Sequence, residues 1–493
     1  MISKNLIKSS LIYTIIGALP LISAFFLLIF YTKFLSTTDY GAFVIYISFT
    51  GFMQILVNLG LDTFIGVSYF ESKHDKEKLR IKIGEITGYL LMWGLFVAIV
   101  FSIMGNGLFK LLFQGKEITF YPYGLMAIAT AFFNSYFKTY TNLLINQEKP
   151  TRFAIVNMAN FVMTISFSLG GLFLFPFTLI GPMWGRLLSG IGIFIIAFLS
   201  LTKESKISIA LGDELKQTLH FSLPLLVFFP ISWSISNIYP FIMANIMSLQ
   251  DVAIFGLVIQ FTLLVEFVLN GMGSSVWPKV YGLIKDKQLT GSTPELNKYF
   301  SGFNAFSLLI IPASTFLIPL ILPLFISKDY EASFIFLSVL NISFASRGLY
   351  NYFLTPVYYF RKTKVLPKIY LFTAVIQIVI SIFLIRQFGI WGAVAANLIT
   401  KVIQNFFLFI VARKFFTFKF NSLKFIWLPT IVTIVVIISE YLVSKHNLHF
   451  IRLFQMAFSY LLVYIFYRNE VRELLKDLHT KFIMRRKKED LNT

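Results

Sequence analysis

The sequence predicts an all-α protein that crosses a membrane many times. Of its 493 residues, 57% are hydrophobic and only 13% are charged, and the mean hydropathy is +0.76. A water-soluble domain of this size carries far more charge on its surface. The chain has no cysteine, which excludes disulfides, thiolate metal sites and thiol catalysis.

Fourteen apolar segments are long enough to span a bilayer, since a spanning helix needs about 20 apolar residues. The first is too long for the apolar core of a signal peptide and no cleavage pattern follows it, so we expect it to remain as a spanning helix. The predicted spans are 11–34, 41–69, 83–105, 119–145, 153–177, 179–202, 217–246, 252–275, 299–326, 331–359, 369–385, 389–412, 425–444 and 450–467.

The basic residues orient the predicted spans. With a cytoplasmic N-terminus, 32 of the 43 Lys and Arg residues fall in cytoplasmic loops and the tail, and 7 fall in the opposite loops. The positive-inside rule therefore places both termini in the cytoplasm. The net charge of +20 is then mostly a topology signal, and we expect no nucleic-acid partner. We interpret the tail as a basic amphipathic helix on anionic lipid or as a solvated end.

Two internal matches indicate a repeat. One aligns FLSTTDYGAFVIYISF with IMSLQDVAIFGLVIQF at a shift of 212 residues, which pairs Ser36 with Ser248 and Asp39 with Asp251. The other aligns LIGPMWGRLLSG with IWGAVAANLITK at a shift of 211 residues. A nearly constant shift predicts two six-helix bundles of parallel topology, and transporters built in this way place their substrate between the halves near mid-depth.

The repeat divides the chain into five predicted parts, and the loops between the spans are too short to hold a folded catalytic domain. The parts are an N-lobe over 1–203, a cytoplasmic linker over 204–216, a C-lobe over 217–415, two appended helices over 425–468, and a basic cytoplasmic tail over 469–493.

Four cations lie within the predicted spans, namely Lys138, Arg186, Arg347 and Lys401. A charge near the bilayer centre costs at least ~2.5 kcal/mol, so it normally faces a water-filled cavity or a partner. Arg347 and Lys401 are predicted to lie too deep to reach an interface and are the strongest candidates for a cavity. Lys138 and Arg186 are close enough to a helix end to snorkel. On the appended helices, Glu440 is interpreted as the structural partner of a cation.

A polar stripe crosses the second predicted span. In GFMQILVNLGLDTFIG, a spacing of four residues places Gln54, Asn58 and Asp62 on one helical face, and the repeat register matches them to Glu266, Asn270 and Ser274 on the eighth span. We interpret this face as one wall of a central cavity for a large, polar, anionic ligand, and its candidate binding residues are Gln54, Asn58 and Asn270. Asp62 and Glu266 either pair with cations or couple transport to Na⁺ or H⁺. No other cofactor is expected.

Family motifs accompany this pattern. They are the opening KNLIKSSLIYTIIGALPLISAFFLLIFYTKFLSTTDYGAFVIY, the segment NLGLDTFIGVSYFE that ends span two, and NQEKPTRFAIVN before span five. With the fourteen-helix plan, they make the whole chain resemble the polysaccharide-type lipid-linked oligosaccharide flippases. These O-antigen and capsule repeat-unit translocases belong to the multidrug, oligosaccharidyl-lipid and polysaccharide exporter superfamily.

The resemblance implies a transporter of the bacterial inner (plasma) membrane and not an enzyme. Its substrate would be an undecaprenyl-pyrophosphate-linked oligosaccharide, whose headgroup crosses a cationic cavity by alternating access while the lipid tail stays among membrane lipids. By location, Lys138, Arg186, Arg347 and Lys401 would bind that headgroup. The polysaccharide polymerase machinery is a candidate partner.

Three other functions remain open or are disfavoured. A lipid II flippase for peptidoglycan shares the fourteen-helix plan and the cationic cavity. A multidrug cation antiporter prefers an acidic cavity and usually has twelve helices. A membrane-embedded glycosyltransferase or polymerase needs acidic or His clusters in sizeable loops, whereas the five histidines are scattered. Only His446 and His449 are close in sequence, and we interpret them as the surface of a short exterior turn.

Overall fold

Helices make up the protein. The computed structural model describes residues 12–114, 118–205, 207–446 and 450–490, apart from the side chains of residue 275 and residues 471–490. Within that part of the chain there is no strand, and thirteen helices are long and apolar enough to cross a membrane. The predicted fourth span is a helix of 24 residues, Tyr123–Asn146, but polar side chains leave it less apolar than the others. The all-α, multi-pass prediction is confirmed.

The chain forms two compact units, Met1–Gly256 with Ile326–Tyr330 (unit 1) and Leu257–Phe325 with Glu331–Thr493 (unit 2). The helices of unit 1 are α1 (Leu19–Phe34), α2 (Thr37–Asn58), α3 (Leu61–Ser72), α4 (Lys76–Leu112), α5 (Tyr123–Asn146), α6 (Pro150–Leu174), α7 (Ile180–Glu204), α8 (Asp213–Asn237), α9 (Tyr239–Ile246) and the start of α10 (Leu249–Asp286). Helix α1 continues a span that begins at Ile12.

Unit 2 contains the rest of α10 and seven further helices among the residues that the structure describes. They are α11 (Pro294–Ile321), α12 (Ser333–Asn341), α13 (Arg347–Tyr359), α14 (Leu366–Phe388), α15 (Ile390–Ala412), α16 (Leu428–His446) and α17 (Phe450–Asp490). The boundary between the units falls inside α10, whereas the predicted lobes separate at 204–216. Helix α8 packs against α2 within unit 1, and the lobe boundaries stay a prediction.

The two matched segments have the same local structure. Ser36 precedes α2, accepts a hydrogen bond of 3.0 Å from the backbone N–H of Asp39, and donates its hydroxyl to the Asp39 carboxylate. Ser248 precedes α10 and makes the same two contacts with Asp251. A serine N-cap satisfies a backbone donor that the first helical turn leaves unpaired. Both halves of the repeat therefore begin this helix in the same way.

The second match marks close helix packing. A Cβ on Gly181 of α7 would lie 2.5 Å from the carbonyl oxygen of Gly171 in α6, and one on Gly392 of α15 would lie 2.0 Å from that of Leu384 in α14. Neither position has room for a side chain. Small residues allow membrane helices to approach at backbone distance, so α6–α7 and α14–α15 use the same contact at repeat-related positions.

Some predicted features lie outside the described residues. Among the basic loop residues these are Lys4, Lys8, Lys116 and Lys206, and the exterior His449 is also outside. Helix α17 has non-helical torsion angles at Tyr467 and continues through Asp490, so it includes most of the predicted tail. Residues 491–493 lie outside the described residues.

Candidate functional site

The predicted polar stripe is broken in the structure. Helix α2 ends at Asn58, and Leu59 and Gly60 adopt left-handed backbone conformations with φ of 53° and 71° before α3 begins. Glycine adopts that conformation without steric cost. The expectation that Gln54, Asn58 and Asp62 share one face of a continuous helix was therefore wrong, because a glycine inside the apolar run permits a turn.

Asn58 and Asp62 belong to a buried ion-pair site with α5. The Lys138 ammonium lies 3.0 Å from Asp62 Oδ2, and Asn142 Nδ2 donates to the same oxygen at 3.3 Å. Asn58 accepts from the backbone N–H of Asp62 at 3.3 Å and donates to Thr139 Oγ1 at 3.4 Å. The Asp62 side chain is 6% exposed and that of Lys138 is 52% exposed. Asn58 thus supports a buried carboxylate and does not face an open cavity.

Gln54 lines a different site, a polar cavity of about 230 Å³ around Arg186. Helices α1, α2, α5, α6 and α7 all contribute to its wall. Its main polar side chains are Gln54, Thr130, Asn134, Asn160, Thr164, Arg186 and Ser189. Among the described residues, no carboxylate lies within ion-pair distance of Arg186. Gln54 and Arg186 thus line one cavity, and their role in binding a substrate stays a prediction.

Unit 2 has an ion pair of its own, which is more open. Arg347 begins α13 directly after a 3₁₀ segment, Ile342–Ser346, which interrupts the predicted tenth span. Its guanidinium lies 3.5 Å from Glu266 Oε1 and donates to Asn270 Oδ1 at 3.1 Å. The two charged side chains are 26% and 38% exposed. Mid-helix 3₁₀ turns often mark hinges, and here one places Arg347 opposite the exposed face of α10.

Lys401 lines a larger cavity of about 650 Å³ between α12–α13, α15 and the start of α16. Its ammonium donates to Ser343 Oγ at 3.1 Å and lies 4.9 Å from the centre of the Phe344 ring. Most of the remaining wall is apolar, including Phe353, Phe406 and Phe425. Within the described residues no carboxylate lies within ion-pair distance of Lys401. This cavity combines the Lys401 ammonium with room for an apolar group.

Sequence reasoning missed several polar residues of these sites. Asn142 follows Lys138 by four residues, and Asn134 precedes it by four, so a four-residue spacing along α5 carried the signal. Asn160 and Thr164 have the same spacing on α6. A third shift, of 213 residues, aligns the loops that follow the fourth and tenth predicted spans. At this shift Asn160 and Thr164 match Thr373 and Gln377 on α14. A search for repeat-related polar stripes could have found them.

The remaining intramembrane acid has a structural partner. Glu440 of α16 accepts two hydrogen bonds from Arg452 of α17, at 2.8 and 2.7 Å, and both side chains are buried. Arg452 was counted among the seven basic residues of the opposite loops, but it lies within α17, which begins at Phe450 as the predicted span 450–467 does. In the described part of the chain, no group of three or more His, Asp or Glu side chains has the arrangement of a metal site.

These helices and intramembrane charges define a multi-pass membrane protein with a transporter fold. It is similar to the lipid II flippase MurJ in an inward closed conformation, with a TM-score of 0.71 and 17% identity over 94% of this chain and 100% of that one. It is also similar to an inward-facing multidrug resistance MATE transporter of the MOP superfamily, with a TM-score of 0.63 and 15% identity over 81% and 94% of the two chains.

A third structure, a mutant of the Vibrio cholerae MATE transporter VcmN, matches with a TM-score of 0.58 and 14% identity over 83% of this chain and 96% of that one. A search of curated proteins gave no match. Residues 31–334 match the family model described as polysaccharide biosynthesis protein. The chain belongs to this family, and the resemblance inferred from its motifs is confirmed.

Proposed function

We propose that the protein is a flippase for an undecaprenyl-pyrophosphate-linked oligosaccharide repeat unit. It carries the headgroup from the cytoplasmic to the outer leaflet of the inner (plasma) membrane by alternating access, for assembly of O-antigen, capsule or exopolysaccharide. Family membership supports a role in polysaccharide biosynthesis, and the fold supports transport.

The observation that carries the proposal is the Lys401 cavity. Its wall is mostly apolar, yet it contains the ammonium group of Lys401, which has no carboxylate within ion-pair distance among the described residues. A cation in apolar surroundings is costly, and a ligand that brings an anionic group offsets that cost. An amphiphile with a phosphate next to a hydrocarbon chain matches both properties of the cavity, because Lys binds phosphate well as a point charge.

The carboxylates of the two ion pairs are candidates for coupling transport to an ion. Asp62 Oδ1 is buried and accepts no hydrogen bond, and Glu266 is partly exposed beside Arg347. Each carboxylate can take up a proton or Na⁺ when its cation turns to the substrate. We propose that Asp62 and Glu266 couple transport to one of these ions.

The proposed topology places both termini in the cytoplasm, as the distribution of Lys and Arg predicts. The repeat unit would then enter from the side on which it is synthesised. The polysaccharide polymerase machinery would receive it on the other side.

The test is complementation in a strain that lacks its own repeat-unit flippase. Lys401→Gln is compared with Arg386→Gln, which removes one charge from the exposed end of α14. At equal membrane levels we expect Lys401→Gln to lower surface polysaccharide at least about tenfold, the effect of losing one charged hydrogen-bond partner. The lipid-linked repeat unit should accumulate, while Arg386→Gln behaves as wild type.

Among the described residues no carboxylate forms an ion pair with Lys401, so Lys401→Gln leaves no buried charge without its partner, and a loss of export would not be the expected result of misfolding. Equal export by Lys401→Gln and wild type would contradict the role of this cavity. Failure of the wild-type chain to export any repeat unit would contradict the proposed function.

A lipid II flippase is the second candidate, because the similarity to MurJ covers that entire chain. Growth of a strain depleted of its lipid II flippase distinguishes the two. Rescue of growth by this chain, without export of any polysaccharide repeat unit, would favour the second candidate.

A further inference from the structure

The Arg186 cavity lies entirely within unit 1 and differs from the Lys401 cavity in its lining. Its volume is about 230 Å³, below the ~300–1,000 Å³ of pockets for drug-sized ligands. At ~30 Å³ for each water molecule, it holds the volume of about eight waters. The cavity therefore suits a compact group of about one sugar ring.

The charge inside this cavity is one uncompensated guanidinium. Lys138, on the neighbouring helix face, is neutralised by Asp62 at 3.0 Å, and Arg347 in unit 2 is paired with Glu266. Arg186 has no such partner among the described residues, and every other side chain of its cavity is neutral. The cavity is thus complementary to a group with a single negative charge, which a guanidinium can bind through two parallel hydrogen bonds.

The neutral lining indicates what accompanies that charge. Gln54, Asn134 and Asn160 carry amides that both donate and accept, and Thr130, Thr164 and Ser189 carry hydroxyls. Sugar hydroxyls also donate and accept, so they match this mixture, whereas a bare phosphate only accepts at its ionised oxygens. The Thr164 and Ser189 hydroxyls lie 2.9 Å apart and present a fixed pair across the α6–α7 contact.

We propose that this cavity is a subsite for one acidic sugar, with the sugar carboxylate on Arg186 and the ring hydroxyls on the amide and hydroxyl side chains. The inference rests on the proposed function and narrows its substrate class to repeat units that contain a uronate-type residue.

The repeat supports a specialised role for unit 1. At the shift of 211 residues, Arg186 corresponds to Asn397 and Ser189 to Thr400. Unit 2 thus has a polar residue at both matched positions, but neither of these residues is charged. Arg186 therefore gives the cavity of unit 1 a charge that the matched position of unit 2 does not have.

The experiment uses the full chain in proteoliposomes with two fluorescent polyprenyl-diphosphate disaccharides. Their terminal rings are glucose and glucuronate, so they differ only by the carboxylate. Flipping is followed by bleaching of the label with a membrane-impermeant reductant. We expect the wild-type chain to move the glucuronate substrate faster, and Arg186→Gln to slow that substrate about tenfold to a hundredfold, as loss of a charged hydrogen-bond partner does.

The neutral substrate serves as the internal comparison, because Arg186→Gln should slow it much less than it slows the glucuronate substrate. Arg386→Gln is the matched charge control and should leave both rates unchanged. Equal slowing of both substrates by Arg186→Gln, or no preference in the wild-type chain, would overturn the subsite. If the wild-type chain moves neither substrate, the proposed function fails and the subsite fails with it.

A competition with the wild-type chain needs no variant. At constant ionic strength, free glucuronate should inhibit flipping of the glucuronate substrate more strongly than glucose or inorganic phosphate does. Equal or stronger inhibition by phosphate would show a plain anion site and overturn the assignment to a sugar.

Discussion

The two units hold similar ion pairs in different surroundings. In unit 1, Asp62 is buried against α5, receives Lys138 and Asn142, and follows a break in the helix. In unit 2, Glu266 lies on the unbroken helix α10, where both it and Arg347 are partly exposed. The same combination of acid, amide and cation thus forms a buried support in one unit and an accessible pair in the other.

This difference separates two roles that the sequence combines in one stripe. A buried carboxylate needs its cation, because removal of one partner leaves a charge in a low dielectric. A pair that water reaches has little effect on stability, so its cation is free to exchange its carboxylate for an anionic ligand. We therefore expect the free energy of unfolding to depend more on the pair in unit 1 than on the pair in unit 2, whose cation is free to bind an anionic ligand.

The largest expected effect on stability is that of Lys138→Met. The change keeps the length of the side chain but leaves Asp62 buried with only the Asn142 hydrogen bond to its carboxylate. Because Lys138 is half exposed, we expect a loss of about 2 kcal/mol, below the ~3–5 kcal/mol typical of a fully buried pair. Thermal and denaturant unfolding in detergent micelles measure it.

The double variant Lys138→Met with Asp62→Asn should recover most of that loss, since no buried charge remains. Arg347→Gln, the counterpart in unit 2, should change the unfolding free energy by less than about 0.5 kcal/mol while it slows transport. Equal destabilisation by Lys138→Met and Arg347→Gln would remove the distinction between the two units.

The sequence predicts the membrane helices, the four intramembrane cations and the repeat, because these depend on apolar length, charge and local N-cap pattern. The two serine caps are an example, since Ser36 and Ser248 each act on a residue three positions along the chain. The sites depend on tertiary packing instead. Asp62 could not be assigned to Lys138 from spacing, because the turn at Gly60 changes the direction in which the carboxylate points.

The next effect is expected from Gly60→Ala. A left-handed backbone costs a residue with a Cβ ~1–2 kcal/mol, and the added Cβ would also lie 2.8 Å from Leu225 Cδ1. We expect the free energy of unfolding to fall by about 1–2 kcal/mol, as measured by denaturant titration.

Gly271→Ala is the matched control, since Gly271 lies within the unbroken helix α10 and has no heavy atom within 4 Å of a built Cβ. Alanine there should leave stability unchanged or raise it by ~0.5 kcal/mol. A tolerant Gly60→Ala variant would show that the break in the stripe is not fixed by its backbone conformation.

The smallest effects are expected for Asn58 and Asn270, the asparagines at matched positions of the repeat. Asn58→Ala removes two hydrogen bonds from a buried cluster, so we expect the free energy of unfolding to fall by about 1 kcal/mol. Transport should fall only in proportion to the folded protein that is lost. Asn270→Ala removes an exposed partner of Arg347, so stability should stay within ~0.5 kcal/mol of wild type while the transport rate per folded molecule falls. Transport rates normalised to folded protein decide between these roles. If Asn58→Ala instead lowers the rate per molecule without loss of stability, the buried amide contacts substrate at some step, and the support in unit 1 must open during transport.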